Sequence, residues 1–333
     1  MAGHETVLLR EAVDGLDVQP GDVVVDGTIG GAGHFSLLYS ALGEHGTLIG
    51  IDADDEAITR AEAAITEAQG ARSAGTGAAS PRLVLANDNF RNLGAILDQN
   101  GIEKVDRALF DLGWRGYHLS RGRGFSFQTH EPLLMTYGTP AEGESAAELL
   151  NSAPEAELAD LIYQYGEERF ARGIARSIVR VRKDRPLLTT DDLVAAVEGG
   201  TPSWYQHRRL HPATKTFQAL RIAVNDELGA IRDGLATAID RLACRGRIAV
   251  ITFHSIEDRI VKGMFRDAAH AGKGSLVTKK PIVPSAEETA RNPRARSAKL
   301  RIFSATPAET GGKYAAFPHA AAEIGSAVLY GAS

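Results

Sequence analysis

Asp22-Val-Val-Val-Asp-Gly-Thr-Ile-Gly-Gly-Ala-Gly-His34 decides the fold. Val23, Val24 and Val25 make a short β-branched run, the pattern of a strand buried on both faces in a parallel sheet. It ends at Asp26, and Gly27, Gly30, Gly31 and Gly33 follow before a helix-compatible stretch from Phe35 to Leu42. Strand, glycine turn and helix is the nucleotide-loop order of a doubly wound α/β fold, in which free N–H groups at the helix start face a ligand. A second apolar run, Thr47 to Ile51, ends at Asp52. That acid lies about 20 residues past the turn, the spacing of a carboxylate on a ribose. Gly-x-Gly-x-x-Gly is not met, because Ser36 occupies the third glycine position after Gly31 and Gly33, and a Walker-type Gly-Lys-Ser/Thr is absent. An acid, a glycine cluster and a second acid fit S-adenosylmethionine better than a dinucleotide or a triphosphate. The alternative for the turn alone is a tight strand–helix connection with no ligand.

Length and charge set the bounds. A chain of 333 residues holds two domains, or one with a large insertion. The net charge of −5 gives no whole-molecule attraction to nucleic acid, but the charge is uneven. Arg169, Arg172, Arg176, Arg180, Arg182, Lys183 and Arg185 crowd one segment against Asp184. Arg208, Arg209, Lys215 and Arg221 share an acid-free stretch after Trp204, and Arg291, Arg294, Arg296, Lys299 and Arg301 form another basic run. The single cysteine, Cys244, permits no intrachain disulfide and points to a reducing compartment. No signal-peptide layout and no membrane-length apolar run stand in the sequence, so a cytoplasmic protein is expected.

In chain order, His4 to Leu16 reads as an amphipathic helix and Glu56 to Ala68 as another. Arg82 to Ala86 is a third strand, followed by Asn87-Asp88-Asn89-Phe90, a helix from Arg91 to Gln99, and a fourth strand from Val105 to Phe110 ending in Asp111. This βαβαβαβ order predicts an open parallel sheet with Asp26, Asp52, Phe90 and Asp111 at one rim. Trp114 to Gly138 reads as a long loop. A helical insertion is expected over 139–212, with capping boxes at Ser152–Glu155 and Thr189–Asp192. The sheet resumes after one long helix, Thr214 to Leu242, with a strand from Arg247 to Phe253 and last strands at Ser275–Lys280 and Ala298–Phe303. Ser255 is the expected N-cap of the helix between them. The expected units are therefore 1–138 with 213–303, the insertion 139–212, and a loosely held tail 304–333.

Several blocks carry a resemblance. They are His4-Glu-Thr-Val-Leu-Leu, Asp26-Gly-Thr-Ile-Gly-Gly-Ala-Gly-His34, Arg123-Gly-Phe-Ser-Phe127, Tyr165-Gly-Glu-Glu-Arg-Phe170, His211-Pro-Ala-Thr-Lys-Thr-Phe-Gln-Ala-Leu-Arg221, Phe253-His-Ser-Ile-Glu-Asp-Arg259 and Asn292-Pro-Arg-Ala-Arg-Ser297. Over residues 4–303 the chain resembles the bacterial 16S rRNA cytosine-N4 methyltransferases that act on the decoding site of the small ribosomal subunit. The resemblance implies a seven-stranded, Rossmann-like S-adenosylmethionine-dependent methyltransferase sheet with an inserted helical domain. It implies cofactor contacts at Ala32, Gly33, His34, Asp52, Phe90, Asp111 and His118. Ala32 stands where the family usually has glycine, and His118 where it has glutamine. Trp114-Arg115-Gly116-Tyr117 replaces two serines and a proline, and Leu134 and Gly138 replace two carboxylates.

A cytosine amine is a weak nucleophile because its lone pair is delocalised into the ring. A carboxylate that accepts a hydrogen bond from it favours attack on the methyl group. Asp111 is the candidate, though it could equally hold the cofactor. His254 is a second candidate facing the target base, or else a structural histidine. No metal-ligand spacing occurs among the histidines. Methylation at cytosine carbon-5 would need a thiolate, and Cys244, just before the fifth strand, is far from the strand carboxyl ends. The stripe Arg169, Arg172, Arg176 and Arg180 suits RNA phosphates or a solvated helix face. Trp114, Tyr117, Phe125 and Phe127 suit either stacking on an extruded base or core packing. Asn225 and Asp226 fall inside the long helix, where a solvated face is expected.

Overall fold

A computed structural model describes residues 5–75, 80–112, 122–137 and 145–307. Alternation along its strands decides the architecture. Val25, Ile49, Ile51, Ala108, Phe110, Ile248 and Val250 face one apolar cluster, while Val24, Leu48, Leu109, Ala249 and Ile251 face another. A sheet apolar on both faces must be covered on both, which is why these strands alternate with helices.

The strands are β1 (Val23–Asp26), β2 (Thr47–Asp52), β3 (Arg82–Asn87), β4 (Val105–Asp111), β5 (Leu242–Thr252), β6 (Gly274–Leu276) and β7 (Lys299–Ala305). They form one seven-stranded sheet in the order β3-β2-β1-β4-β5-β7-β6. β1 to β5 pair in parallel, and β7 runs antiparallel to both β5 and β6. The expected doubly wound, seven-stranded Rossmann-like sheet is present. Helices α1 (Leu9–Leu16), α2 (Gly33–Ala41) and α3 (Asp55–Gly75) cover one face. On the other lies α4 (Leu93–Gln99).

Between β4 and β5 the chain leaves the sheet. It forms α5 (Ala146–Ser152), α6 (Glu155–Gly166), α7 (Ala171–Arg182), α8 (Thr190–Gly199) and the short α9 (Ser203–Gln206). The first four of these helices share a third apolar cluster that also takes in Phe125, Leu133 and Met135 before them and Phe217 and Leu220 after them. The Thr189–Asp192 capping box forms as expected. α6 instead takes Pro154 as its N-cap, and the other box in this region is Ser145–Glu148 at the head of α5.

The expected single helix from Thr214 to Leu242 is two: α10 (Thr214–Val224) and α11 (Glu227–Arg241). Asn225 caps the first, and Asp226 adopts a left-handed φ of 43° at the head of the second. Asx residues tolerate that conformation, so a run without Gly or Pro can still break there. α11 and the following α12 (Ser255–His270) complete the second face. α13 (Ala286–Arg291) then leads to β7, which runs through Ala305, into the stretch expected as tail; residues 308–333 lie outside the described residues.

The chain's first described turn is fastened to its last elements. Leu8 N–H donates to Glu288 Oε1 at 2.8 Å, and Asn292 Nδ2 donates to Glu5 O at 3.1 Å. Arg291 pairs with Glu5 at 3.2 Å.

Candidate active site

The carboxyl ends of β1 to β5 converge where the strand order reverses between β1 and β4, the place where open α/β sheets bind ligands. Asp26, buried at the end of β1, accepts from Thr28 N–H through Oδ1 at 3.0 Å and so shapes the turn. The Thr28 hydroxyl accepts from Asp111 N–H at 2.7 Å, tying the turn to the end of β4. Asp52 ties it to β2, with Oδ2 accepting from Gly30 N–H at 2.8 Å and Oδ1 from Asp54 N–H at 2.9 Å. Both oxygens of Asp52 keep a free lone-pair direction for a further donor.

These ends open onto a cleft enclosing roughly 760 Å³ with the solvent space at its mouth, lined among others by Gly27, Asp52, Phe90, Asp111, Ile231 and Glu257. Phe90 meets Phe110 edge to face at 5.6 Å, which sets its ring as an apolar wall. Among the described lining residues four are acids, Asp52, Asp111, Glu227 and Glu257, and none is a Lys, Arg or His. A pyrophosphate or triphosphate would be repelled there, whereas a nucleoside carrying sulfonium and ammonium charges would be attracted.

Of the residues expected to hold a cofactor, Asp52, Phe90 and Asp111 line this cavity. Ala32, Gly33 and His34 stand behind it. Ala32 is the N-cap of α2 in left-handed conformation, φ 60°. Gly33 lies so close to Thr6 that a Cβ would fall 2.0 Å from its hydroxyl. His34 is buried, with Nδ1 3.7 Å from Asp111 Oδ2. His118, with Trp114 and Tyr117, lies outside the described residues. Phe125 stacks on Tyr137 at 5.6 Å, and Phe127 stacks on His211 at 4.4 Å, so both serve packing.

The far wall was not legible in the sequence. Asn225, read as a solvated helix position, is half-buried at the cavity. Its Oδ1 accepts from Tyr137 N–H at 2.9 Å and its Nδ2 donates to Met135 O at 2.7 Å. Asp226 is exposed and pairs with Arg91. Glu227, at the head of α11, accepts from the Tyr137 hydroxyl at 2.6 Å and from Arg221 Nε and Nη2 at 2.7 and 2.9 Å. Burial and the neighbouring Glu227 raise the Tyr137 phenol well above its ordinary range, so it stays a donor. Burial would lower the Arg221 guanidinium, but Glu227 and Tyr137 outweigh that and raise it. The break after α10 turns this group toward the site.

His254, not Ser255, caps α12. Its Nδ1 accepts from Glu257 N–H at 3.4 Å, and Glu257 Oε2 accepts from Phe253 N–H at 2.8 Å. His254 Nε2 lies 3.0 Å from Glu257 Oε1. Glu227, His254 and Glu257 bring ligand atoms within 4.8 Å of one another. Glu227, which already holds Arg221 and Tyr137, and Glu257 form a polar wall to the cavity, with His254 beside Glu257. Ser255 is freed to donate to Glu167 at 2.6 Å. Cys244 is exposed at the amino end of β5, the opposite end of the sheet.

Sheet order, switch-point cavity and cation-attracting lining together define an S-adenosylmethionine-dependent methyltransferase. Comparison with known proteins narrows the class. Residues 1–306 match the family described as MraW methylase, and the chain belongs to that family. It is 42% identical over 315 residues to ribosomal RNA small subunit methyltransferase H of Brevibacillus brevis, covering 90% of this chain and 96% of the relative. The protein of the same name from Deinococcus radiodurans is 45% identical over 309 residues, covering 92% and 91%. A solved rRNA methylase from Streptococcus thermophilus covers 91% of this chain and 98% of its own at 10% identity and a TM-score of 0.42, too remote to add to the assignment.

Proposed function

We propose that the protein transfers a methyl group from S-adenosylmethionine to the N4 amine of a decoding-site cytosine in 16S rRNA of the small ribosomal subunit, in the cytoplasm. The observation that carries this reading is Asp111: it ends β4 in the same cavity as Asp52 and Phe90, so one carboxylate can face both cofactor and target. S-adenosylmethionine supplies an electrophilic methyl group on a positively charged sulfur, which leaves as a neutral thioether.

The residues then divide the work. Asp52 accepts from the ribose hydroxyls, while Phe90 and Ile231 pack against the adenine. Asp111 Oδ accepts a hydrogen bond from the cytosine amine, localises its lone pair for attack, and receives the proton released as the new N–C bond forms. His34 stands behind Asp111 and orients it. The half-buried Glu227–Arg221–Tyr137 group and the Glu257 box hold the wall against which the base lies, a positioning role. His254 sets Glu257 in place and is proposed to face the base.

Small subunits lacking the modification, incubated with labelled S-adenosylmethionine and digested to nucleosides, should yield N4-methylcytidine by mass spectrometry. Another methylated nucleoside would move the target, which the altered residues Trp114 to Tyr117 and Leu134 allow. Asp52→Ala should weaken cofactor binding about tenfold by calorimetry; unchanged affinity would remove the ribose role.

A further inference from the structure

The motif Tyr165-Gly-Glu-Glu-Arg-Phe170 builds a surface that the reaction does not use. Glu168 is fully buried; Oε1 accepts from Phe170 N–H at 2.8 Å and Oε2 from the Tyr205 hydroxyl at 2.6 Å. Tyr205 is thereby fixed from below, and its ring meets Phe170 edge on at 4.8 Å. The next ring, Trp204, is held against Tyr205 at 5.8 Å and against Phe170 at 5.9 Å, yet it is 56% exposed. The Arg169 guanidinium lies 4.7 Å from the Trp204 ring centre and 4.8 Å from that of Phe170. Arg208 lies 5.2 Å from the Tyr205 ring.

Two features say what this surface meets. Arg169, Arg172, Arg208 and Arg209 are exposed and have no carboxylate partner among the described residues. The two acids of the motif are already engaged, Glu168 beneath Tyr205 and Glu167 with Ser255 and Arg259. An exposed indole with the Arg169 guanidinium against it and Arg208 at the next ring, both without a carboxylate partner among the described residues, matches a nucleobase with its flanking phosphates. The surface is also continuous with the active site. Glu167 receives Ser255 and Arg259 from α12 at 2.6 and 2.7 Å, and its carbonyl accepts from Lys215 Nζ at 2.6 Å. Ser255 is the neighbour of His254 at the cavity rim.

We propose that Trp204 and Arg169 form a stacking platform for an unpaired nucleotide of the substrate RNA, close to the strand that delivers the target base. This rests on the reading of RNA as substrate. Because the rings are held by Glu168 before any RNA arrives, stacking needs little ordering of the protein.

The test separates the platform from the reaction. With unmodified small subunits as substrate, Trp204→Ala and Arg169→Ala should each raise the KM for subunits about tenfold. Their kcat and their affinity for labelled S-adenosylmethionine should stay at the wild-type value, and Trp204→Phe should restore most of the loss. Tryptophan emission should be quenched by a mixed-sequence single-stranded RNA oligonucleotide in the wild type, and much less so in Trp204→Phe. Wild-type KM in both alanine variants, with quenching indifferent to Trp204→Phe, would overturn the platform and leave the reaction standing. Quenching at Trp204 by RNA, in a protein that methylates no subunit, would support the platform and remove the reaction. Quenching that follows protein concentration without RNA would assign the patch to a second copy and overturn the proposal.

Discussion

At the scale of single residues, Asp111 is the most exacting test of mechanism. Asp111→Asn keeps the size and the backbone bond to Thr28 but loses the proton acceptor. kcat on small subunits should fall roughly 100-fold or more, with a smaller change in cofactor affinity. Ala32 offers a test of strain. At φ 60° its Cβ is disfavoured, and Ala32→Gly should raise stability by about 0.5–1 kcal/mol in urea unfolding. The acids that end their strands, Asp26, Asp52 and Asp111, were legible because polar residues closing apolar runs mark a sheet rim. Glu227 and Tyr137 were not, because their meaning depends on a pairing across 90 positions of sequence. Asn225 was misread because the break after it has no Gly or Pro to announce it.

At the scale of elements, α12 is anchored to β7 by one buried carboxylate. Asp258 accepts from Arg301 at 2.7 and 3.2 Å and from Lys299 at 3.1 Å. Burial alone would raise this carboxyl, but Arg301 and Lys299 outweigh it and hold it below its ordinary 3.8. A depressed carboxyl stabilises the fold at pH above its unfolded value, and that contribution is lost as pH falls through the depressed one. Asp258→Asn should therefore cost about 3 kcal/mol near neutral pH by leaving Arg301 buried and unpaired. The gap to the wild type should begin to narrow below pH ~4, as the unfolded carboxyl protonates, and keep narrowing as pH falls toward the depressed native value; equal gaps at pH 7 and pH 3 in denaturant titrations would exclude this account. The parallel strands could be read from their apolar runs. The cap of α12 could not, because His254 and Ser255 both suit an N-cap and only the reach of Glu257 decides between them.

At the scale of the whole molecule, the cavity and the exposed face of α7 carry opposite charge. Net charge is −5, the cavity is acidic, and Arg172, Arg176 and Arg180 stand exposed along α7. Arg176 has a loose pairing with Glu155 at 3.8 Å. Such a division keeps RNA phosphates on the helical side and the cationic cofactor in the sheet. The KM for small subunits should rise steeply with salt while cofactor affinity changes little. Replacing Arg172 and Arg176 by Ala should lower the slope of log KM against log salt by about 2. An unchanged slope would return these arginines to an ordinary solvated face. Among the described residues no helix is long and apolar enough to cross a membrane.

The fastening of Leu8 and Glu5 to Glu288, Arg291 and Asn292 also orders events during synthesis. β1 to β4 are complete once residue 111 has been made, but β5, the next strand to pair, begins only at Leu242. The first turn must wait longer still, for partners 280 or more positions downstream. A nascent chain therefore lacks these fastenings through most of elongation, and Leu8, Ala12 and Leu16 have only part of their apolar cluster until Ala295, Ala298, Leu300 and Ile302 are made. Arrested chains of increasing length should stay protease-sensitive near residue 10 until α13 has left the exit tunnel, so the earliest-made residues are among the last to reach their native contacts.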